Sequence, residues 1–187
     1  MNRYLQKSIR MVVATVGMAL SVLALAATSE AIDSGVESTL NRFYAQNEVH
    51  REYTQKAAAV LVFPRVTKAG VGVGGEYGEG ALELKGKTVG YYKMTGASVG
   101  ATLGAAHHSE VILFMTDEAR DKFMNSHDWT VGADANVAVA KKGAGGQYDN
   151  ETLRKPVVAF VFGEKGLLAD ASLKGAKITR LPQPPQG

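Results

Sequence analysis

The 187-residue chain contains no cysteine. That excludes disulfide staples, thiolate-bound zinc, a catalytic thiol and the lipid-modified cysteine of a lipoprotein, so stability has to come from packing alone. Proline is also scarce, five in all, and three of the five crowd into 182–187, which reads as a disordered tail. A net excess of positive charge is missing as well, once the first residues are set apart. Arg3, Lys7 and Arg10 precede an apolar run from Met11 to Ala27, the pattern of an export signal, with Ala24-Leu25-Ala26 as the small-x-small cleavage site. Removing 1–26 takes three of the 21 cations and no acid, leaving 18 against 18. A near-neutral mature chain gives no general support for nucleic-acid binding, and any anion site has to be a local patch. The expected organisation is a signal peptide at 1–26, one domain at 27–181 and the tail at 182–187.

Ser34 with Glu37 forms a capping box, and Val36, Leu40, Phe43 and Tyr44 follow at i, i+4, i+7 and i+8, which predicts an amphipathic helix opening at Ser34. A second helix is expected from Val49 through Tyr53 and Ala57, with Glu52 and Lys56 paired at i,i+4. At Val60 the period becomes strand-like, and Pro64 is expected to close that run. A hairpin turn is expected at Lys85-Gly86, and Thr116 should cap a short helix carrying Asp117 and Glu118 in its first turn. Six alternating apolar positions from Trp129 to Val139 predict one long strand, and Val157 to Phe162 a central strand buried on both faces. Lys141 to Glu151 reads as a polar loop, Leu167 to Leu173 as another alternating strand, and Lys174-Gly175 as a turn. Strands this rich in glycine and alanine allow backbones to approach closely. The expected fold is therefore α+β and β-dominated: a strongly curved antiparallel sheet or barrel-like sandwich, with short helices of which two are N-terminal.

Three motifs suggest chemistry. Gly70, Gly72 and Gly75 match G-x-G-x-x-G, but a dinucleotide loop needs a helix directly after the glycines, and strand formers follow instead. Gly96-Ala97-Ser98-Val99-Gly100 matches G-x-S-x-G, with Asp117 or Asp121 and then His127 in hydrolase order, yet no βαβ alternation surrounds it. His107, His108 and Glu110 suggest a metal site, but adjacent histidines on a strand point to opposite faces and are poorly placed to share one ion, so a polar hairpin end is expected there. The cationic clusters carry more weight. Lys141 and Lys142 with Arg154 and Lys155 bracket the polar loop, Lys85 and Lys87 flank one hairpin turn, and Lys174, Lys177 and Arg180 surround another.

Between Val36 and Arg180 the order of segments resembles the SYLF domain. The segments are Val62-Phe63-Pro64, Ala69-Gly70, the series Gly72, Gly74, Gly75 and Gly80, then Gly96 to Gly100 with Gly104-Ala105, Val111 to Phe114, and Lys165 to Ala169 with Leu173, Gly175 and Ile178. Tyr91-Tyr92-Lys93 stands where many members carry a tryptophan, and Asp170 where a glycine is usual. The resemblance implies a non-catalytic phospholipid-binding module, related to phosphoinositide-associated actin regulators, that acts through an N-terminal amphipathic helix and basic surface residues. No cofactor or metal is implied. The expectation is an exported, envelope-associated protein that meets anionic phospholipid through Lys85, Lys87, Lys141, Lys142, Arg154 and Lys155, with Val36, Leu40 and Phe43 available for insertion. The alternatives are an envelope protein-interaction domain and, less well supported, a Ser98 hydrolase.

Overall fold

The computed structural model describes residues 29–140, 148, 150–163, 166–167 and 173–182. The segment expected to be a signal, Lys141, Lys142, most of the strand expected from Leu167 to Leu173 and most of the proline-rich tail lie outside the described residues. Residues 29–46 form helix α1 and Glu48–Lys56 form α2. Two long strands follow, β1 (Ala59–Leu84) and β2 (Lys87–Phe114), then α3 (Asp117–Asn125), β3 (Asp128–Thr130), β4 (Ala138–Val139), α4 (Asn150–Leu153), β5 (Val157–Gly163), β6 (Gly166–Leu167) and β7 (Lys177–Arg180). All seven strands belong to one sheet. β2 pairs along its length with β1, and elsewhere with β5 and β7; β4 joins β5 in the one parallel pairing among the described strands.

The β1–β2 hairpin rolls back onto itself. In a straight strand Val66 and Gly78 would be about 40 Å apart, but a Cβ placed on Gly78 would lie 2.9 Å from Val66 Cγ2, and one on Gly80 would lie 2.0 Å from the Val62 carbonyl oxygen. The two ends of β1 therefore cross in main-chain contact, which a hydrogen atom permits and a methyl group does not. Register shifts at Phe63/Val66 and Gly70/Gly72 help the hairpin to bend. The first of these explains why Pro64 does not end the strand as expected. It sits at the irregularity, where no ladder donor is needed, and its carbonyl accepts a 2.7 Å hydrogen bond from Ser109 Oγ. At the tip, Lys85 and Gly86 have φ of 51° and 75°, the two-residue turn expected there.

Rolling gives the sheet two cores. Inside lie Leu61, Phe63, Leu82, Met94, Ile112 and Phe114 with alternate β5 residues Val157, Ala159 and Val161, closed by Phe123 and Trp129. Outside, Val60, Val62, Val111, Leu113, Val158, Phe160 and Phe162 meet α1 through Ile32, Val36, Leu40 and Phe43. β5 is thus buried on both faces, as its unbroken apolar run predicts. Gly35 brings α1 close to Pro64, with a Cβ there only 3.0 Å from the proline Cβ. Asp33 fastens the same helix to β2 by accepting hydrogen bonds from Thr88 (3.0 Å) and Tyr91 (2.8 Å).

Three local expectations need correction. Residues 29–33 are already helical before Ser34, so Ser34 is not the cap; the apolar face begins one turn earlier, at Ile32. The alternation from Trp129 to Val139 is not one strand. Gly132 at φ 91° breaks it, and the Asp134 carboxylate accepts from Thr130 N–H at 2.6 Å, closing a turn between β3 and β4. Within the polar loop, Asn150–Leu153 is a helical turn. Thr116, by contrast, caps α3 as expected, accepting from Ala119 N–H at 3.2 Å, and Glu52 pairs with Lys56 at 2.5 Å.

Because the crossing tolerates no side chain, Gly80→Ala should cost about 3 kcal/mol in urea unfolding. Gly75→Ala, whose Cβ would meet nothing closer than 3.8 Å, should change stability by no more than about 1 kcal/mol. Equal costs at the two positions would refute the crossing as the tight point.

Candidate functional site

The roll decides which cations come together. Lys85, at the hairpin tip, borders a groove of about 330 Å³ with Ala57, Ala59 and Val60, so the tip lies at the end of the sheet where β1 starts. Ala58 N–H donates to the Phe114 carbonyl and Met115 N–H to that of Pro156, both at 2.8 Å, which puts the end of β2 and Arg154-Lys155 at the same end of the sheet. Lys85, Lys87, Arg154 and Lys155 are all exposed, and none forms an ion pair with a described residue. Glu83, half-buried in the groove, has its pKa raised, by burial first and then by the nearby Asp33 carboxylate. The third cluster is separate: Lys177 is tied to Asp128 at 2.9 Å on the β3–β7 edge, and this contact lowers the Asp128 pKa.

The apolar residues expected to insert are elsewhere. Val36, Leu40 and Phe43 are buried against the outer face of the sheet, because the same stripe that suits a lipid surface suits a two-sided sheet. In this conformation they are core residues, and α1 would have to leave the sheet to present them. Ser98 lies within β2 opposite Gly74, with no strand-to-helix turn, so the nucleophile elbow is absent. Gly70, Gly72 and Gly75 likewise lie within β1, with no helix following.

One polar arrangement was not legible in the sequence, and a second, expected as a polar hairpin end, is buried. His50 is fully buried, its ring stacked 3.9 Å from Phe43, its Nδ1 2.6 Å from the Phe43 carbonyl and its Nε2 against the Tyr148 hydroxyl. It ties α2 and the segment before α4 to α1, and burial pushes the Tyr148 pKa up to about 12. The second arrangement is inside the roll. Glu110 lies opposite Phe63 on β1 and Val161 on β5, both inner-core residues, and is itself fully buried. His108 Nε2 contacts its Oε1 at 2.8 Å, while Oε2 has no hydrogen-bond partner. Lys68 and Glu76, paired at 3.5 Å, act on Glu110 electrostatically. Burial, outweighing His108, raises the Glu110 pKa. His107 instead contacts Thr67, Oγ1 to Nδ1 3.1 Å, so the adjacent histidines part company as their strand positions predict. Among the described residues no three His, Asp or Glu side chains are grouped to hold a metal.

These features define a class: a β-dominated single domain built on a rolled, glycine-hinged hairpin, with an amphipathic helix packed outside and a cationic end. Residues 95–183, just under half of the chain, match the family model Ysc84, described as Las17-binding protein actin regulator, in line with the SYLF resemblance of the sequence. A relative, beta cell expansion factor A of Aeromonas veronii, is 33% identical over 89 residues, covering 46% of this chain and 32% of its own length. This chain therefore spans about a third of that relative. The match supports, in broad terms, a module of the lipid-binding or actin-regulator type, in a family not known for catalysis.

The Glu110 environment has a pH signature. A carboxyl whose folded pKa lies above its unfolded value contributes stability that is present at low pH and lost as pH rises through the raised value. Wild-type stability relative to Glu110→Gln should therefore fall as pH climbs above about 4.5, read by chemical unfolding at a series of pH values. Parallel curves for the two proteins would contradict a raised pKa.

Proposed function

We propose that the domain associates with anionic phospholipid surfaces through the cationic end formed by Lys85, Lys87, Arg154 and Lys155, in an exported protein of the cell envelope. The observation that carries this reading is the roll itself, which brings a hairpin tip and a loop some 70 residues further along the chain to one end of the sheet. The SYLF match supports it. Four cations at about 1 kcal/mol each supply about 4 kcal/mol, or millimolar affinity. Tighter binding needs either specific phosphate contacts, as a phosphoinositide headgroup would offer, or inserted apolar area. No described helix is long and apolar enough to cross a membrane. Insertion would instead draw on α1, whose Val36, Leu40 and Phe43 face becomes available only when the helix detaches. The family description also names a protein partner, so docking of a protein on the same cationic end is the alternative.

Sedimentation with vesicles containing phosphatidylserine should pull down the full chain at low salt, progressively less as salt rises. Replacing Lys85, Lys87, Arg154 and Lys155 together by Glu should cut binding at least about tenfold. Unchanged binding in that variant, or none by the wild type at low salt, would reject the reading. Crosslinking to a protein in the absence of lipid, with no vesicle binding, would favour the alternative.

Whether α1 detaches can be tested in the same assay, since the natural chain has no thiol to interfere. Cysteines at Gly35 and Pro64, where a Cβ built on Gly35 would lie 3.0 Å from the Pro64 Cβ, would fasten the helix to the sheet once the two backbones part by a few tenths of an ångström to reach the span of about 3.5–4.5 Å that a disulfide bridges. Oxidation should weaken vesicle binding and reduction restore it. Equal binding in both redox states would show that the helix stays in place.

A further inference from the structure

A second described cleft has Lys155 among the residues that line it. It has a volume of about 550 Å³ and is bounded by α3, the turn from Asp134 to Ala138 and the start of β5 at Pro156-Val157. That is the size of a small-molecule site. Trp129 contributes to its floor; the ring is held edge-on against Phe123 at 5.4 Å and Phe114 at 6.1 Å. Ala119, Ala135, Val137 and Val157 make the remaining walls apolar.

Most polar groups at the mouth are already engaged. Thr116 caps α3, Lys122 Nζ donates to the Asp134 carbonyl at 2.6 Å, and the Asp134 carboxylate holds Thr130 N–H. The side chains of Lys155, Asn136 and Glu118 make no hydrogen bond or ion pair with a described residue. Lys155 and Asn136 can donate hydrogen bonds to an anion. The lining as a whole is charge-balanced, Lys122 and Lys155 against Glu118 and Asp134, so the place for an anion is the local one at Lys155 and Asn136. An apolar pocket with one such donor pair at its mouth matches a molecule with an apolar body and one anionic end.

We propose that this cleft binds a single-chain carboxylate amphiphile of the fatty-acid type, with its chain over Trp129 and its carboxylate at Lys155 and Asn136. Such a ligand would enter from solution, so the proposal stands apart from bilayer association even though Lys155 serves both.

Trp129 is the chain's one tryptophan, so intrinsic fluorescence reports on the cleft floor directly. Titrating the full chain with decanoate below its micelle concentration should give a saturable change. Decanol, with the same chain and no charge, should bind at least about tenfold more weakly. Lys155→Glu should weaken decanoate by a similar factor while leaving decanol unchanged, and Ala138→Phe should abolish both responses by filling the cleft. Absence of a saturable response to decanoate overturns the proposal. So does equal binding of decanol together with indifference to Lys155→Glu, or a response that survives in folded Ala138→Phe. Should Ala138→Phe fail to fold, the Lys155→Glu comparison decides alone. Sedimentation with vesicles while decanoate saturates the cleft separates this site from the surface reading: vesicle binding lost with the cleft still responsive rejects only the latter.

Discussion

Between Val62 and Gly80 two stretches of one strand meet through main-chain atoms, and only a hydrogen substituent fits the gap. A hairpin as long as β1–β2 would otherwise be an extended ribbon with little apolar surface covered, marginal in water by itself. Bringing Gly78 and Gly80 over Val66 and Val62 closes an interior around Leu61, Leu82, Met94 and Ile112. It also leaves a convex outer face for α1. The two cores, the grouping of cations at one end and the burial of Glu110 all depend on that closure.

Closure has an electrostatic cost. A carboxyl with one unsatisfied oxygen inside an apolar roll is destabilising when ionised, and a single histidine contact only partly offsets the loss of water. The Lys68–Glu76 pair lies toward the bend, where the strands carry glycines instead of bulky residues. Among the described side chains, polar ones thus continue the interior from Glu110 toward the bend. The inner core is graded, dense where β5 pairs with β2 and polar toward the hairpin's middle.

Much of this was legible from the chain alone, because the signals were local. The Lys85-Gly86 turn, the Thr116 cap, the Glu52–Lys56 pair and the two-sided β5 follow from neighbours within a few residues, and the curved sheet follows from glycine-rich strands. The misreadings share one cause: alternation and proline placement do not report what a distant segment supplies. Pro64 passes through a strand because an irregularity removes the need for its donor. Trp129 to Val139 breaks because Gly132 and Asp134 close a turn. His50 gave no warning, and Glu110, which reads with His107 and His108 as a polar hairpin end, is buried instead, since only the tertiary roll carries both inside. For the candidate surface, the cationic clusters were visible but their meeting was not; that depends on the tip returning to the start of β1.

The two cores are divided by the sheet and share β1, β2 and β5; in β5 the odd-numbered residues from Val157 to Val161 face inward and the even-numbered residues from Val158 to Phe162 face α1. Such layering uncouples the parts of the molecule. The closed interior, with its crossing and its aromatic plug of Phe114, Phe123 and Trp129, makes its contacts on the face turned away from α1. A disturbance of the outer helix would therefore be felt first by Val62, Leu113 and Phe160 on the convex face, and only through them by the interior.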